Sequence, residues 1–301
     1  MCCNVEQSET LRWFDQTLAS LKFVAKQNVM GKIIGIVSIK GGVGKTTSTC
    51  NLASALANQF GKKVLAVDGN FSAPNLGMYL GINCPTATLH DVLSKKSSIG
   101  NAVYDSGFGF KIVPSQLRGP EKIAYYDLKL HLEKLRAEYD YILIDSSPNL
   151  NHEILATMMA SDELLVVSTP DHPTLDGTMN AVKIAKRKKT PITGIILNKV
   201  YNKGFEVKLD EIETASDCPV VALLPHDLKV MEALSKTMPV HLYAPNTEVM
   251  VEFNKLAAVI AGEQYTDPRL WARLSATVGL REVKPEENRQ RLLQEFSNGK
   301  K

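Results

Sequence analysis

The sequence predicts an α/β protein, a mostly parallel β-sheet covered by helices on both faces to make three layers. Three observations carry that expectation. Apolar runs rich in β-branched residues alternate with helix-forming segments along the chain, the pattern of strands joined by crossover helices. One run, residues 33–39, meets a glycine cluster that opens directly into a helix-forming segment, 46–59. Two others, 62–69 and 140–145, reach an acid at their carboxyl end, Asp68 and Asp145, where open sheets of this kind bind ligands.

With 301 residues, 44% hydrophobic and 22% charged, the chain has ordinary soluble composition and enough apolar material for a sizeable core. A net charge of +3 is too small to argue for nucleic acid. The five cysteines form no C-x-x-C pair and are odd in number, which points to reduced thiols and a cytoplasmic protein rather than a disulfide framework. No N-terminal basic-then-apolar leader and no run of about 18 apolar residues is present.

Residues 1–30 precede the first strand. Leu11, Phe14, Leu18, Leu21 and Ala25 recur at helical spacing, which predicts a helical extension packed on the body. The main domain is expected over residues 31–262, and residues 263–301 are expected to form a basic helical tail.

The junction at 39–47 reads Ile-Lys-Gly-Gly-Val-Gly-Lys-Thr-Thr. Gly41, Gly42 and Gly44 can take backbone angles closed to other residues, so successive amides turn inward around phosphate oxygens. The helix that follows adds its partial positive charge. Lys40, Gly41, Gly42, Val43, Gly44, Lys45, Thr46 and Thr47 therefore make a phosphate loop, with Lys45 on the β- and γ-phosphates and the Thr46 hydroxyl on Mg²⁺. This is a P-loop NTPase junction, strand to glycine loop to helix.

The loop departs from G-x-x-x-x-G-K-[ST], because Ile39 stands where the first glycine belongs and a second lysine, Lys40, follows it. KGGVGKTT resembles the deviant Walker A motif of the ParA/MinD family of ATPases. The resemblance implies an ATP-driven homodimer in which Lys40 reaches the nucleotide of the partner subunit. Three further stations resemble the family over about residues 31–262. In VDGN, Asp68 matches the acid that helps hold the Mg²⁺ water shell, and Asn70 stands where a second acid orients the attacking water. An amide there can hold a water but cannot take its proton, so slow hydrolysis is expected. In ILIDSSPN, Asp145 contacts Mg²⁺ through water and the Ser146–Asn149 segment senses the γ-phosphate. Asn198 in LNKV, with the turn Pro225-His226-Asp227, lies on the base side and favours ATP over GTP.

Residues 81–118 read as irregular, with a short strand near 110–114, and residues 121–139 as an amphipathic helix. Strands follow at 163–169, 192–198 and 220–225. The basic run Lys186-Arg187-Lys188-Lys189 suits a helix C-terminus. From Gln264 onward the chain carries eight basic and five acidic residues. One face holds Leu270, Trp271, Leu274 and Val278, and a shorter one Leu292, Leu293 and Phe296. MinD proteins end in a basic amphipathic helix that binds membranes when ATP pairs two subunits, so the tail is a candidate for reversible membrane contact. Non-specific DNA is the weaker surface, and a regulatory protein partner completes the expectation. The output implied is positioning or partitioning of a cellular component from the cytoplasm or the inner face of the membrane. The competing readings are a nucleotide-gated adaptor with little hydrolysis, a small-molecule ligase on the same fold, and a metal-cluster carrier, which would need paired cysteines.

Overall fold

The computed structural model describes residues 30–117, 123–268 and 284–298. Eight strands form one sheet in the order β3-β4-β2-β5-β1-β6-β7-β8, parallel throughout except for the β3–β4 pair. The strands are β1 (Lys32–Val37), β2 (Val64–Gly69), β3 (Tyr104–Asp105), β4 (Lys111–Val113), β5 (Tyr141–Ser146), β6 (Glu163–Ser168), β7 (Ile192–Val200) and β8 (Val220–Pro225).

Both faces of the sheet are covered, which is why its strands read as continuous apolar runs. Successive residues of β1 divide between the faces. Ile34 and Ile36 pack with Leu52 and Leu56 of helix α1 (Lys45–Phe60), while Ile33 joins Leu128 and Leu132 on the opposite side. Helices α2 (Leu76–Tyr79) and α3 (Leu89–Leu93) lie in the segment after β2. The described helix before β5 is α4 (Leu128–Glu133), preceded by a 3-10 turn at Tyr125–Asp127. The long amphipathic helix expected over 121–139 is thus shorter; residues 118–122 lie outside the described residues. Beyond Glu133 the chain goes on in tighter turns, the N–H groups of Leu135, Arg136 and Glu138 donating to Leu132 O, Glu133 O and Leu135 O. The Arg136 carbonyl accepts the Gly31 N–H at 2.9 Å, and its guanidinium binds Gly31 O and Asp162.

Helices α5 (His152–Ala160), α6 (His172–Lys188), α7 (Leu209–Ser216), α8 (Leu228–Ser235), α9 (Val240–Tyr243) and α10 (Glu248–Ala261) complete the alternation. β1, at the centre, leads into the glycine loop. Register pairs Asp68 of β2 with Asp145 of β5, so the two strand-end acids emerge side by side.

The last described helix, α11 (Lys284–Asn298), lies against the edge strand β8. Asn288 donates to Val220 O at 2.8 Å and to Glu213 at 2.7 Å. Arg289 is 4% exposed, donates to Val221 O, and pairs with Glu252 and Glu286. Part of the tail is therefore built into the body and covers the sheet's edge, a place where exposed strands invite self-association. Truncation after Gly262 is expected to cost about 3 kcal/mol, lowering the melting temperature by about 5–10 °C, and to give concentration-dependent self-association by light scattering. Leu270, Trp271, Leu274 and Val278 lie outside the described residues, as does the apolar face expected over residues 11–25. Among the described residues no helix is long and apolar enough to cross a membrane.

Candidate active site

The site forms where the centre of the sheet meets the N-terminus of α1. Gly42 and Gly44 take left-handed backbone angles, φ 77° and 99°. At Gly44 space is as strict as conformation: a Cβ would lie 2.2 Å from the Asn198 amide nitrogen. The loop's own carbonyls are tied from behind, Val43 O by Asn198 Nδ2 at 2.8 Å and Gly42 O by Lys199 Nζ at 2.8 Å. Asn198 thus braces the loop it was expected to accompany at the base. The turn beyond it carries His226 stacked on Tyr201, ring centroids 4.6 Å apart, while Asp227 caps α8 by accepting the Lys229 N–H at 2.8 Å. Pro225 ends β8 in register with Val200.

The two lysines flanking the glycines diverge. Lys45 is 7% exposed and folds back over the loop, its ammonium 3.4 Å from Lys40 O. Burial lowers its pKa, and the charge of Asp145 opposes that shift. Lys40 points to the outer face, its ammonium 2.7 Å from the Thr174 hydroxyl and 3.2 Å from Asp171 Oδ1. Burial would raise Asp171, but hydrogen bonds from Thr169, Thr174 and Lys40 override it and bring the acid down to about 2. A recess of about 320 Å³ on this face is lined by Lys40, Gly42, Asp171, Lys199, Tyr201 and Phe205, and Phe205 is 76% exposed.

Thr46 donates to Asp145 Oδ2 at 2.6 Å, while Asp145 Oδ1 is buried with no hydrogen-bond partner. An orphaned carboxylate oxygen in the interior is costly. Burial raises Asp145 to about 6, with Thr46 and Lys45 opposing. Asp68 is raised well above the carboxylate range by burial and by the neighbouring Asp145, against amides of Asn70, Leu76 and Asn75. A divalent cation beside Thr46 and Asp145 would satisfy the free oxygen and neutralise this pair, so hard oxygen donors of this type fit Mg²⁺. Asp68 is more enclosed, its oxygens accepting the N–H groups of Asn70 (3.2 Å) and Leu76 (3.0 Å). Asn70 makes two bonds with Ala73, donating to its carbonyl at 2.5 Å and accepting its N–H at 3.3 Å.

The Ser146–Asn149 segment abuts the loop: the Asn149 N–H donates to Ile39 O at 2.8 Å, and a Cβ on Gly41 would lie 3.8 Å from Pro148. Thr47 follows Thr46 in the first turn of α1 and accepts from Asn51 through its carbonyl. Sequence reasoning passed over Asp171, Thr174, Lys199 and Glu153. For Asp171 a signal existed, an acid followed by Pro173 in the first turn of a helix, though nothing local pairs it with Lys40.

A family described as an AAA domain matches residues 31–195. An ATP-binding protein of Methanocaldococcus jannaschii is 36% identical over 232 residues, 76% of this chain and 88% of the relative. The septum site-determining protein MinD of Thermotoga maritima is 30% identical over 244 residues, covering 78% of this chain and 89% of its own. Among solved structures, MinD of Pyrococcus horikoshii complexed with Mg-ADP superposes with a TM-score of 0.72 at 33% identity, over 77% of this chain and 96% of that one.

Proposed function

The chain belongs to the MinD/ParA family of P-loop ATPases, and from that membership we propose that it is an ATP-gated dimerising switch that positions or partitions a cellular component. It uses ATP and Mg²⁺. Lys45 and the amides of residues 41–46 hold the phosphates. Thr46 and Asp145, with Asp68 beside Asp145, would hold Mg²⁺, which would supply charge neutralisation at the phosphates.

The observation that carries the dimer is the divergence of the two lysines. Lys45 serves its own loop, whereas Lys40 lies on the outer face beside exposed Tyr201 and Phe205, a face a second subunit would cover. There its ammonium would exchange Asp171 and Thr174 for the partner's phosphates, a stronger, charge-assisted contact once water is excluded. Size-exclusion chromatography with light scattering should give a monomer in Mg-ADP and a doubled mass with a slowly hydrolysed ATP analogue. An unchanged mass at saturating analogue would overturn this reading.

Turnover depends on Asn70. Asn70→Asp supplies a carboxylate able to take a proton, a gain of about 10²-fold in kcat. The same change removes the donor to Ala73 O and adds charge near Asp68 and Asp145, so the melting temperature should fall. Unchanged or lower turnover in a folded Asn70→Asp protein would sink the assignment. The adaptor reading, nucleotide gating with little hydrolysis, has one observation in its favour: the Asn70 amide is committed to Ala73.

A regulatory protein partner and reversible contact with an anionic membrane from the cytoplasm belong to the same proposal, with DNA the weaker surface. The exposed residues of α11, Glu286, Glu287, Gln290, Arg291, Gln294 and Glu295, carry more negative than positive charge. Membrane contact would therefore rest on Arg269, Arg273 and Arg281, which precede it in sequence. Co-sedimentation of the full chain with anionic vesicles and with DNA, in each nucleotide, tests the surface; binding to neither would remove it.

A further inference from the structure

Glu153 sits in the first turn of α5, is 4% exposed, and grips the loop that follows β2. One of its oxygens accepts the Phe71 N–H at 3.2 Å, and the other accepts the Ser72 hydroxyl. Neither residue belongs to the phosphate loop or to the metal-holding acids. The loop they hold carries Asn70 and closes over Asp68, whose oxygens take the amides of Asn70 and Leu76. Phe71 anchors it, with His90 and Tyr125 each edge-on to its ring at 5.3 Å.

The other end of Glu153's connection is the segment that follows Asp145. Asn149 donates its N–H to Ile39 O at the start of the phosphate loop, at 2.8 Å. Two residues on, the Asn151 side chain accepts the Ser147 hydroxyl and caps α5 through the N–H groups of Glu153 and Ile154, each at 3.1 Å. Displacement of 146–151 therefore carries the first turn of α5 with it, and the Glu153 carboxylate moves as part of that turn.

A carboxylate this buried is costly to hold unless its hydrogen bonds are made, and apolar contact alone would have attached α5 to the loop. What the carboxylate adds is direction: two charge-assisted bonds, one from each of its oxygens, fix where Phe71 and Ser72, and so Asn70, stand relative to α5. We infer that Glu153 is a positioning residue that locks the loop carrying Asn70 to the 146–151 segment, so that a nucleotide-driven rearrangement of one is carried to the other. The inference rests on ATP binding at the phosphate loop, and the physical warrant is a pair of bonds joining two segments that flank the same site.

Hydrogen exchange on the full-length protein tests it, with Mg-ADP and with a slowly hydrolysed ATP analogue. In the unmodified protein the analogue should slow exchange, relative to ADP, in peptides covering both 68–76 and 146–151. In Glu153→Ala the protection of 146–151 should persist while 68–76 stays at its ADP rate. Analogue affinity should remain within about twofold and kcat should fall about tenfold with KM within about twofold, the split expected of lost positioning rather than lost binding. Glu153→Gln, which keeps one acceptor oxygen, should be intermediate. Should Glu153→Ala fold poorly, Ser72→Ala removes the other half of one bond. It should lower kcat about threefold alone and add almost nothing to Glu153→Gln, the non-additivity of a shared contact. Analogue-dependent protection of 68–76 that survives in both Glu153→Gln and Ser72→Ala would overturn the inference alone. An unmodified protein that fails to bind the analogue would overturn the ATP reading as well.

Discussion

Replacing Lys40 with alanine is expected to abolish the analogue-dependent doubling of mass and to lower ATP turnover by about 10³-fold, the scale of a cation supplied in trans to a transferring phosphoryl group. The folded monomer should be almost unaffected. Its ion pair with Asp171 is at the surface, with side chains 43% and 44% exposed, and such pairs contribute little. Nucleotide affinity of the monomer should also survive, since Lys45 and the loop amides are untouched. Lys40→Arg should not restore activity, because a planar fork replaces a compact ammonium. Light scattering and single-turnover hydrolysis check both halves. A Lys40→Ala protein that still dimerises with the analogue would defeat the trans assignment, whatever its turnover.

Asp145→Asn should give opposite results in the presence and absence of ligand. Burial raises Asp145 from 3.8 to about 6, so between those values the folded state binds more protons than the unfolded chain. Stability from this group is fully present below about pH 4 and is lost as pH rises through about 6, a cost on the order of a few kcal/mol at pH 7. Asparagine keeps the acceptor for Thr46 and removes the charge. The nucleotide-free variant should therefore melt about 5–10 °C higher than the parent at pH 7, with the difference shrinking towards pH 4. With Mg-nucleotide the order should reverse: the parent gains about 2.7 kcal/mol at a hundredfold excess over Kd, and the variant loses the Mg²⁺-dependent part. Thermal melts over pH and Mg²⁺ concentration decide it. A variant that melts lower than the parent without ligand at pH 7 would show that the carboxylate is not under the strain assigned to it.

Much of the site was legible in the sequence because its parts are local. Gly42 and Gly44, Lys45 and Thr46 act within one loop and the first turn of α1, so their order along the chain is already their arrangement in space. Asp68 and Asp145 were legible as strand ends, and parallel pairing of β2 with β5 then sets them side by side. The helix expected over 121–139 was not legible at its end: past Glu133 the chain tightens into three-residue turns, and Arg136 takes its side-chain partners from Gly31 and Asp162. For Asn198 no local pattern announced its contact with Val43 O, which lies 155 residues away in sequence.

By itself, then, the sequence determined the layered α/β fold, the phosphate loop, and the acids that accompany it, since glycine conformation, helix starts and apolar periodicity are properties of neighbouring residues. Only the tertiary structure decided where Lys40 rests, that Glu153 holds the loop of Asn70, and that α11 covers β8. Each joins segments 68 to 134 residues apart. Such meetings depend on strand order, register and the direction of helices across the sheet, which no local pattern of side chains encodes.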